Sequence, residues 1–203
     1  MIVGKRMTQE PITVETADLS IRAVHKMQAG GFRRLPVVRD GKLVGIISDR
    51  DLREHRGHLE QVKVSDIMSE NPITVSPATT VEEAAQIMLE RQIGGLPVVA
   101  GGHLVGIITA SDIMRAFLDV MGASHGGSSR IDFVLEGEEH GFVEATRLVA
   151  REGAEVLGVG TYREKLGDNS VCYLRIVGGA PDHIAKTLRS RGFNVLGVHK
   201  IAA

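Results

Sequence analysis

Two spacings of apolar positions run through the chain. Val81, Ala84, Ala85, Met88 and Leu89 fall at i, i+3, i+4, i+7 and i+8, which predicts a helix with one buried stripe. Thr80 and Glu83 stand in capping-box spacing at its start. Two β-branched runs follow, 96–99 and 104–108, separated by Gly101-Gly102, and this predicts an antiparallel hairpin. Helical spacing then resumes over 112–118, with Ile113, Phe117 and Leu118 apolar. Asp40-Gly41 separates an earlier pair of such runs in the same way.

The pattern repeats because the sequence does. Pro11-Ile12-Thr13-Val14 recurs as Pro72-Ile73-Thr74-Val75, an offset of 61. The same offset carries Leu35-Pro36-Val37-Val38 onto Leu96-Pro97-Val98-Val99, and Leu43-Val44-Gly45-Ile46-Ile47 onto Leu104-Val105-Gly106-Ile107-Ile108. One offset held without a gap marks two copies of a β-α-β-β-α unit, residues 1–61 and 62–121. Residues 122–129, Gly-Ala-Ser-His-Gly-Gly-Ser-Ser, read as a linker. Beyond it a shorter duplication appears: Val156-Leu157-Gly158-Val159 returns 39 residues later as Val195-Leu196-Gly197-Val198, with Gly153 matching Gly192. Each half reads strand, helix, strand: 131–135, 142–151 and 156–161, then 171–177, 184–191 and 195–201. Two βαβ units imply a ferredoxin-like βαββαβ sandwich over 130–203, so the fold class expected for the whole chain is α+β.

Composition narrows the partners. A net charge of -1 gives no global basic field, and aromatic residues at 3% leave few stacking platforms, which argues against nucleic acid. The single cysteine, Cys172, excludes an internal disulfide and fits a reducing cytoplasm. No apolar run reaches the ~20 residues of a membrane span, and no signal-peptide pattern opens the chain.

The chemistry concentrates where the last strand of each copy meets its closing helix, at Gly45-Ile46-Ile47-Ser48-Asp49-Arg50-Asp51 and Gly106-Ile107-Ile108-Thr109-Ala110-Ser111-Asp112. A hydroxyl at a strand end and a carboxylate three residues later suit a nucleotide. The carboxylate can accept from both ribose hydroxyls, and the helix N–H groups face phosphate. The same spacing also makes a capping box, in which the acid bonds the cap residue's own N–H. Its recurrence at equivalent positions of a duplicated unit favours a ligand.

These motifs resemble those of CBS domains, which pair into a Bateman module; the likeness covers roughly residues 1–121. It implies two clefts that bind an adenine nucleotide (AMP, ADP or ATP) as a regulatory ligand, or S-adenosylmethionine. By that resemblance one cleft would use Ile108, Thr109 and Asp112 with Thr16, Arg33, Arg34 and Pro36. The other would use Ile47, Ser48, Arg50 and Asp51 with Gly94, Gly95 and Pro97. Arg33 and Arg34 read equally as phosphate ligands or as a solvated surface pair. Residues 130–203 are similar to an ACT domain, a module that often binds amino acids at a dimer interface; its usual Asp-x-Pro-Gly turn is here Glu138-Glu139-His140-Gly141, making Glu139, His140 and Gly141 the candidate ligand turn. A CBS pair followed by an ACT-like domain resembles the acetoin-utilisation type of bacterial regulatory protein.

The sequence offers no enzyme. Cys172 lies in an apolar run, the eight histidines are scattered, and no Gly-x-x-x-x-Gly-Lys-Ser/Thr phosphate loop occurs. No catalytic residues and no metal site are expected. The reading is a cytoplasmic energy-sensing regulatory protein forming a homodimer or larger assembly, with vestigial clefts in a structural protein as the alternative.

Overall fold

A computed structural model describes residues 1–124, 126–134, 141–163, 165 and 169–201. The chain divides into two compact units, Met1–Met114 and Arg115–Ala203. The first contains a 3₁₀ turn (Val3–Lys5), β1 (Thr8–Gln9), β2 (Val14–Glu15), α1 (Ser20–Gly30), β3 (Arg34–Arg39), β4 (Lys42–Ser48), α2 (Asp49–Glu54), α3 (Val64–Ile67), β5 (Ser69–Glu70), α4 (Val81–Glu90), β6 (Gly95–Ala100) and β7 (His103–Thr109). Helix α5 (Ala110–Val120) spans the boundary. The second unit continues with β8 (Ser129–Val134), α6 (Gly141–Arg151), β9 (Ala154–Tyr162), β10 (Val171–Gly178), α7 (Pro181–Ser190) and β11 (Asn194–Lys200).

Both hairpins form where the turn residues require them. Asp40 and Gly41 have φ of 50° and 75°, and Gly101 and Gly102 have 57° and 80°, the left-handed pair that a two-residue hairpin needs. Of the stripe read from 81–89, Val81, Ala84 and Met88 are buried, Ala85 is partly buried and Leu89, at the helix end, is exposed; the Thr80 hydroxyl accepts from the Glu83 N–H at 3.1 Å.

The first unit departs from two self-contained repeats. Its sheets run β2-β3-β4-β5 and β1-β7-β6. Thus β1, from the first repeat, pairs with β7 of the second (Thr8↔Ile107), and β5, from the second, pairs with β4 of the first (Ser69↔Ile46). The cores follow the same exchange. Val3 packs with Val75, Ala84, Met88, Leu96, Val98 and Ile108, while Val64, its equivalent at the offset of 61, packs with Val14, Ala23, Met27, Leu35, Val37 and Ile47. The exchange explains the glycine of each Gly-Ile-Ile strand. A Cβ at Gly45 would lie 2.6 Å from the Met68 sulfur, and one at Gly106 would lie 2.5 Å from that of Met7, so each glycine makes room for the other repeat's methionine.

In the second unit a four-stranded antiparallel sheet, ordered β11-β8-β10-β9, carries α6 and α7 on one face in βαββαβ succession. Its core is Ile131, Phe133, Leu148, Cys172, Leu174, Ile176, Ile184 and Leu188. Gly153 and Gly192 follow α6 and α7 with φ of 73° and 91°, and Pro181 opens α7. Ser129, read as the end of the linker, is already in β8, and Ser128 is buried. Among the described residues no helix is long and apolar enough to cross a membrane.

Candidate functional site

Register within a repeat places the polar residues. Counted outward from the Asp40-Gly41 turn and across one bulge, β3 and β4 pair Arg34 with Ser48, and the Asp49 N–H donates to the Arg33 carbonyl at 2.8 Å. The second repeat does the same with Gly95↔Thr109 and Ala110 N–H to Gly94 O. Residues preceding Leu-Pro therefore adjoin the Ser/Thr-x-x-Asp of their own repeat.

Around Ser48 lies a cleft of about 510 Å³, lined by Arg33, Arg34, Ser48, Arg50 and Asp51 from one repeat and by Gly94, Gly95 and Pro97 from the other. Ser48, Arg50, Asp51, Gly94, Gly95 and Pro97 thus line one cleft, while Ile47 of the same expected set does not. The resemblance implies Arg33 and Arg34 in the Thr109 cleft; in the structure they line this one, because hairpin pairing fixes Arg34 opposite Ser48. The Arg34 guanidinium extends across the two glycines: a Cβ at Gly94 would stand 2.6 Å from its Nη2, and one at Gly95 would stand 2.7 Å from its Nη1. The Gly94-Gly95 pair is the space that the arginine occupies.

Both carboxylates act as caps. Asp51 Oδ2 accepts from the Ser48 N–H and hydroxyl, each at 2.7 Å. Asp112 Oδ2 accepts from the Thr109 N–H at 2.9 Å and from its hydroxyl at 2.6 Å. The capping box is therefore present twice, and it holds each acid at a strand-to-helix corner. Charge at the Ser48 cleft is lopsided. Arg53 pairs with Asp49 at 3.2 Å, whereas Arg33, Arg34 and Arg50 form no ion pair with the described residues. Burial first, and the neighbouring Arg33 charge second, hold the Arg34 guanidinium below its ordinary pKa. Unpaired, partly desolvated guanidiniums are how proteins bind phosphate or carboxylate.

The remaining expected residues fall elsewhere. Ile47 and Ile108 have side chains wholly buried in the two cores, leaving only their backbone to face a ligand. Pro36 is buried within β3. The Thr16 hydroxyl, beyond β2, accepts from Arg39 Nε at 3.5 Å. Gly141 begins α6, while Glu139 and His140 lie outside the described residues. Sequence reasoning missed Asn71, Ile73, Gln92 and Ile93 on the cleft wall. Asn71 and Gln92 have φ of 49° and 53°, conformations that no residue pattern announces. Burial pushes the Cys172 thiol up to about 11, with Asp132 adding to it, so this cysteine is no nucleophile at neutral pH.

Comparison with known proteins agrees with this architecture. The CBS domain family matches residues 3–58 and 64–119, and the chain belongs to that family. A CBS domain-containing protein of Dictyostelium discoideum is 35% identical over 136 residues, 60% of this chain and 94% of its own length. The inosine-5'-monophosphate dehydrogenase of Korarchaeum cryptofilum is 40% identical, but the chain spans only 22% of that enzyme. Among solved structures, a putative acetoin utilization protein (AcuB) from Vibrio cholerae is similar at 33% identity and TM-score 0.55, covering 61% of this chain and 95% of its own. CBSX2 in complex with AMP is similar at 32% and TM-score 0.53, covering 58% and 96%. The CBS domain pair of protein MJ0100, solved with 5'-methylthioadenosine and S-adenosylmethionine, is similar at 31% and TM-score 0.54, covering 58% and 95%. These likenesses make the first unit a CBS pair.

Proposed function

We propose that the chain is a non-enzymatic regulatory sensor whose CBS pair binds an adenine nucleotide in the Ser48 cleft. The observation that carries this is the convergence of Arg33, Arg34 and Arg50, without carboxylate partners among the described residues, beside Ser48 and Asp51 in one cleft. In this reading the three guanidiniums hold phosphates, Asp51 takes the ribose hydroxyls, and Pro97 gives the base an apolar wall. The Thr109 cleft is the poorer phosphate site, since Ala110 and Ser111 stand where the first repeat has Asp49 and Arg50. S-adenosylmethionine and methylthioadenosine, bound by MJ0100, are the second reading. The charge of the Ser48 cleft opposes the former, because a sulfonium brings another cation to three.

The second unit completes the sensor as an ACT-like domain, and its effector is an amino acid or another small ligand. The assembly is a cytoplasmic homodimer or larger. Support comes from the apolar side of α5, where Met114, Phe117 and Val120 are each more than half exposed, and from the uncovered edges of β9 and β11.

Calorimetry with ATP, ADP, AMP, adenosine and S-adenosylmethionine tests the reading. Arg33→Ala/Arg34→Ala should weaken ATP at least about tenfold and adenosine little, and added salt should weaken wild-type ATP binding. Equal losses for ATP and adenosine would remove the arginines from the phosphate site. Silence toward every ligand would leave the clefts vestigial.

A further inference from the structure

The open face of the C-terminal sheet, opposite α6 and α7, carries a polar cluster that the nucleotide reading does not use. Arg130 and Asp132 lie on β8, Tyr173 and Arg175 on β10, Tyr162 on β9 and His199 on β11. Asp132 is 5% exposed and is already committed: it accepts from Arg130 Nε at 2.6 Å and from the Tyr162 hydroxyl at 3.4 Å, and His199 Nε2 stands 3.7 Å away. The Arg130 guanidinium also lies over the rings of Tyr173 and Tyr162, at 4.6 and 5.2 Å. Arg175 is 6% exposed, and its Nε and Nη1 are buried with no hydrogen-bond partner among the described residues. Two guanidiniums thus face one carboxylate among the described residues. Burial and, after it, the Arg130 charge hold Arg175 below its ordinary pKa.

What covers this arginine is visible in its register. Arg175 pairs with Gly158 across β9, and the Met121–Gly122 backbone packs onto that glycine. A Cβ at Gly158 would be 2.7 Å from the Met121 carbonyl carbon and oxygen. The turn is the C-terminal end of α5, with Met121, Gly122 and Ala123 N–H groups donating to Phe117, Asp119 and Leu118 carbonyls. The C-terminal end of α5, the negative end of its dipole, therefore packs on the residue paired with Arg175, which favours a cation there. Leaving charged donors buried and unpaired is costly. An anion that supplied those bonds would offset the cost and compete with the turn for the same place.

We propose that Arg175 is the receptor for a small oxyanion, a carboxylate or a phosphate, whose binding displaces the Met121–Gly122 turn from the open face of the sheet. This site stands independently of the nucleotide cleft.

Full-length protein is titrated with potassium phosphate and, in separate arms, with sodium acetate and sodium glutamate, ionic strength being held constant with chloride. Amide hydrogen exchange is read at Met121, Gly122 and Ala123. The expected result is faster exchange at these three amides with phosphate, with the carboxylates or with both, and the responding arm identifies the ligand class. Arg175→Gln should raise the half-saturating concentration at least about tenfold, Arg175→Lys should fall between, and Arg33→Ala/Arg34→Ala should respond as wild type. Gly158→Ala, whose Cβ cannot coexist with the turn, should exchange fast without anion and saturate at lower concentration. No response in any arm, or an Arg175→Gln titration equal to wild type, overturns the proposal.

Discussion

Asp51 commits one oxygen to both polar groups of Ser48, so capping and ligand binding occupy the same side chain and must be separated by chemistry. Asp51→Asn keeps an acceptor for the cap and loses the charge; Asp51→Ala loses both. The alanine variant should lose ~1 kcal/mol of stability, the ordinary value of an N-cap, and both should bind ATP about tenfold or more weakly, the cost of losing a charged acceptor. Thermal unfolding and calorimetry on the two variants decide this, and an asparagine variant with wild-type affinity would make Asp51 a cap alone. Gly94→Ala is a complementary probe that touches no polar group. Its Cβ would sit 2.6 Å from the Arg34 guanidinium, so the arginine must move. ATP affinity should fall several-fold while adenosine affinity holds, and unchanged ATP binding would mean that Arg34's present position is irrelevant. Cys172 gives a third check: with its thiol pushed up to about 11, it stays protonated at pH 8. Native protein should resist iodoacetamide there, and urea-unfolded protein should react.

At the scale of elements, the exchange of opening segments makes the CBS pair one folding unit. Val3 and Val64 are each fully buried in the core of the opposite lobe. Val3→Ala and Val64→Ala should each cost ~2 kcal/mol, from lost methyl burial plus the cavity left behind, and each should lower the whole first unit in one transition. Two separate transitions in either variant, seen by calorimetry or denaturant unfolding, would show lobes that fold alone. The exchange was not legible beforehand. A two-residue strand such as β1 carries no period, and an offset of 61 says which residues are equivalent without saying which copy each one joins. The hairpins were legible because Asp40-Gly41 and Gly101-Gly102 demand positive φ locally. Once a turn is fixed, register can be counted outward from it. That count already puts Arg34 near Ser48, a signal present in the sequence and overridden there by the family's cleft pattern.

For the whole molecule, α5 runs from the Thr109-Asp112 box to the turn over Gly158, whereas the sequence suggested that a flexible stretch begins soon after it. Coupling between the two units is part of the proposed sensor. Reciprocity then requires that an effector of the second unit change nucleotide affinity by the same factor, typically ~5- to 150-fold. Comparing ATP affinity in the full chain, with and without that effector, against residues 1–121 alone measures it. Identical values throughout would make the units independent and leave nucleotide binding untouched. Light scattering addresses assembly, and a 21.9 kDa monomer at micromolar concentration would contradict the dimer.

Sequence by itself determined the duplication, the order of helices and strands, both hairpin turns, the helix stops at Gly153 and Gly192, and the pairing of hydroxyl with carboxylate at Ser48-Asp51 and Thr109-Asp112. Each is local, set by the spacing of side chains over a few residues or by the φ that one residue can adopt. Tertiary structure alone decided which lobe Val3 and Val64 enter, that Gly94 and Gly95 come to lie against Arg34, and that Arg175 is buried with Nε and Nη1 unpartnered among the described residues. Those outcomes depend on segments far apart in the chain meeting across a sheet. A glycine such as Gly94 or Gly158 reads in sequence only as missing a side chain; what fills the space, the Arg34 guanidinium in one case and the Met121–Gly122 backbone in the other, is supplied by a distant part of the chain.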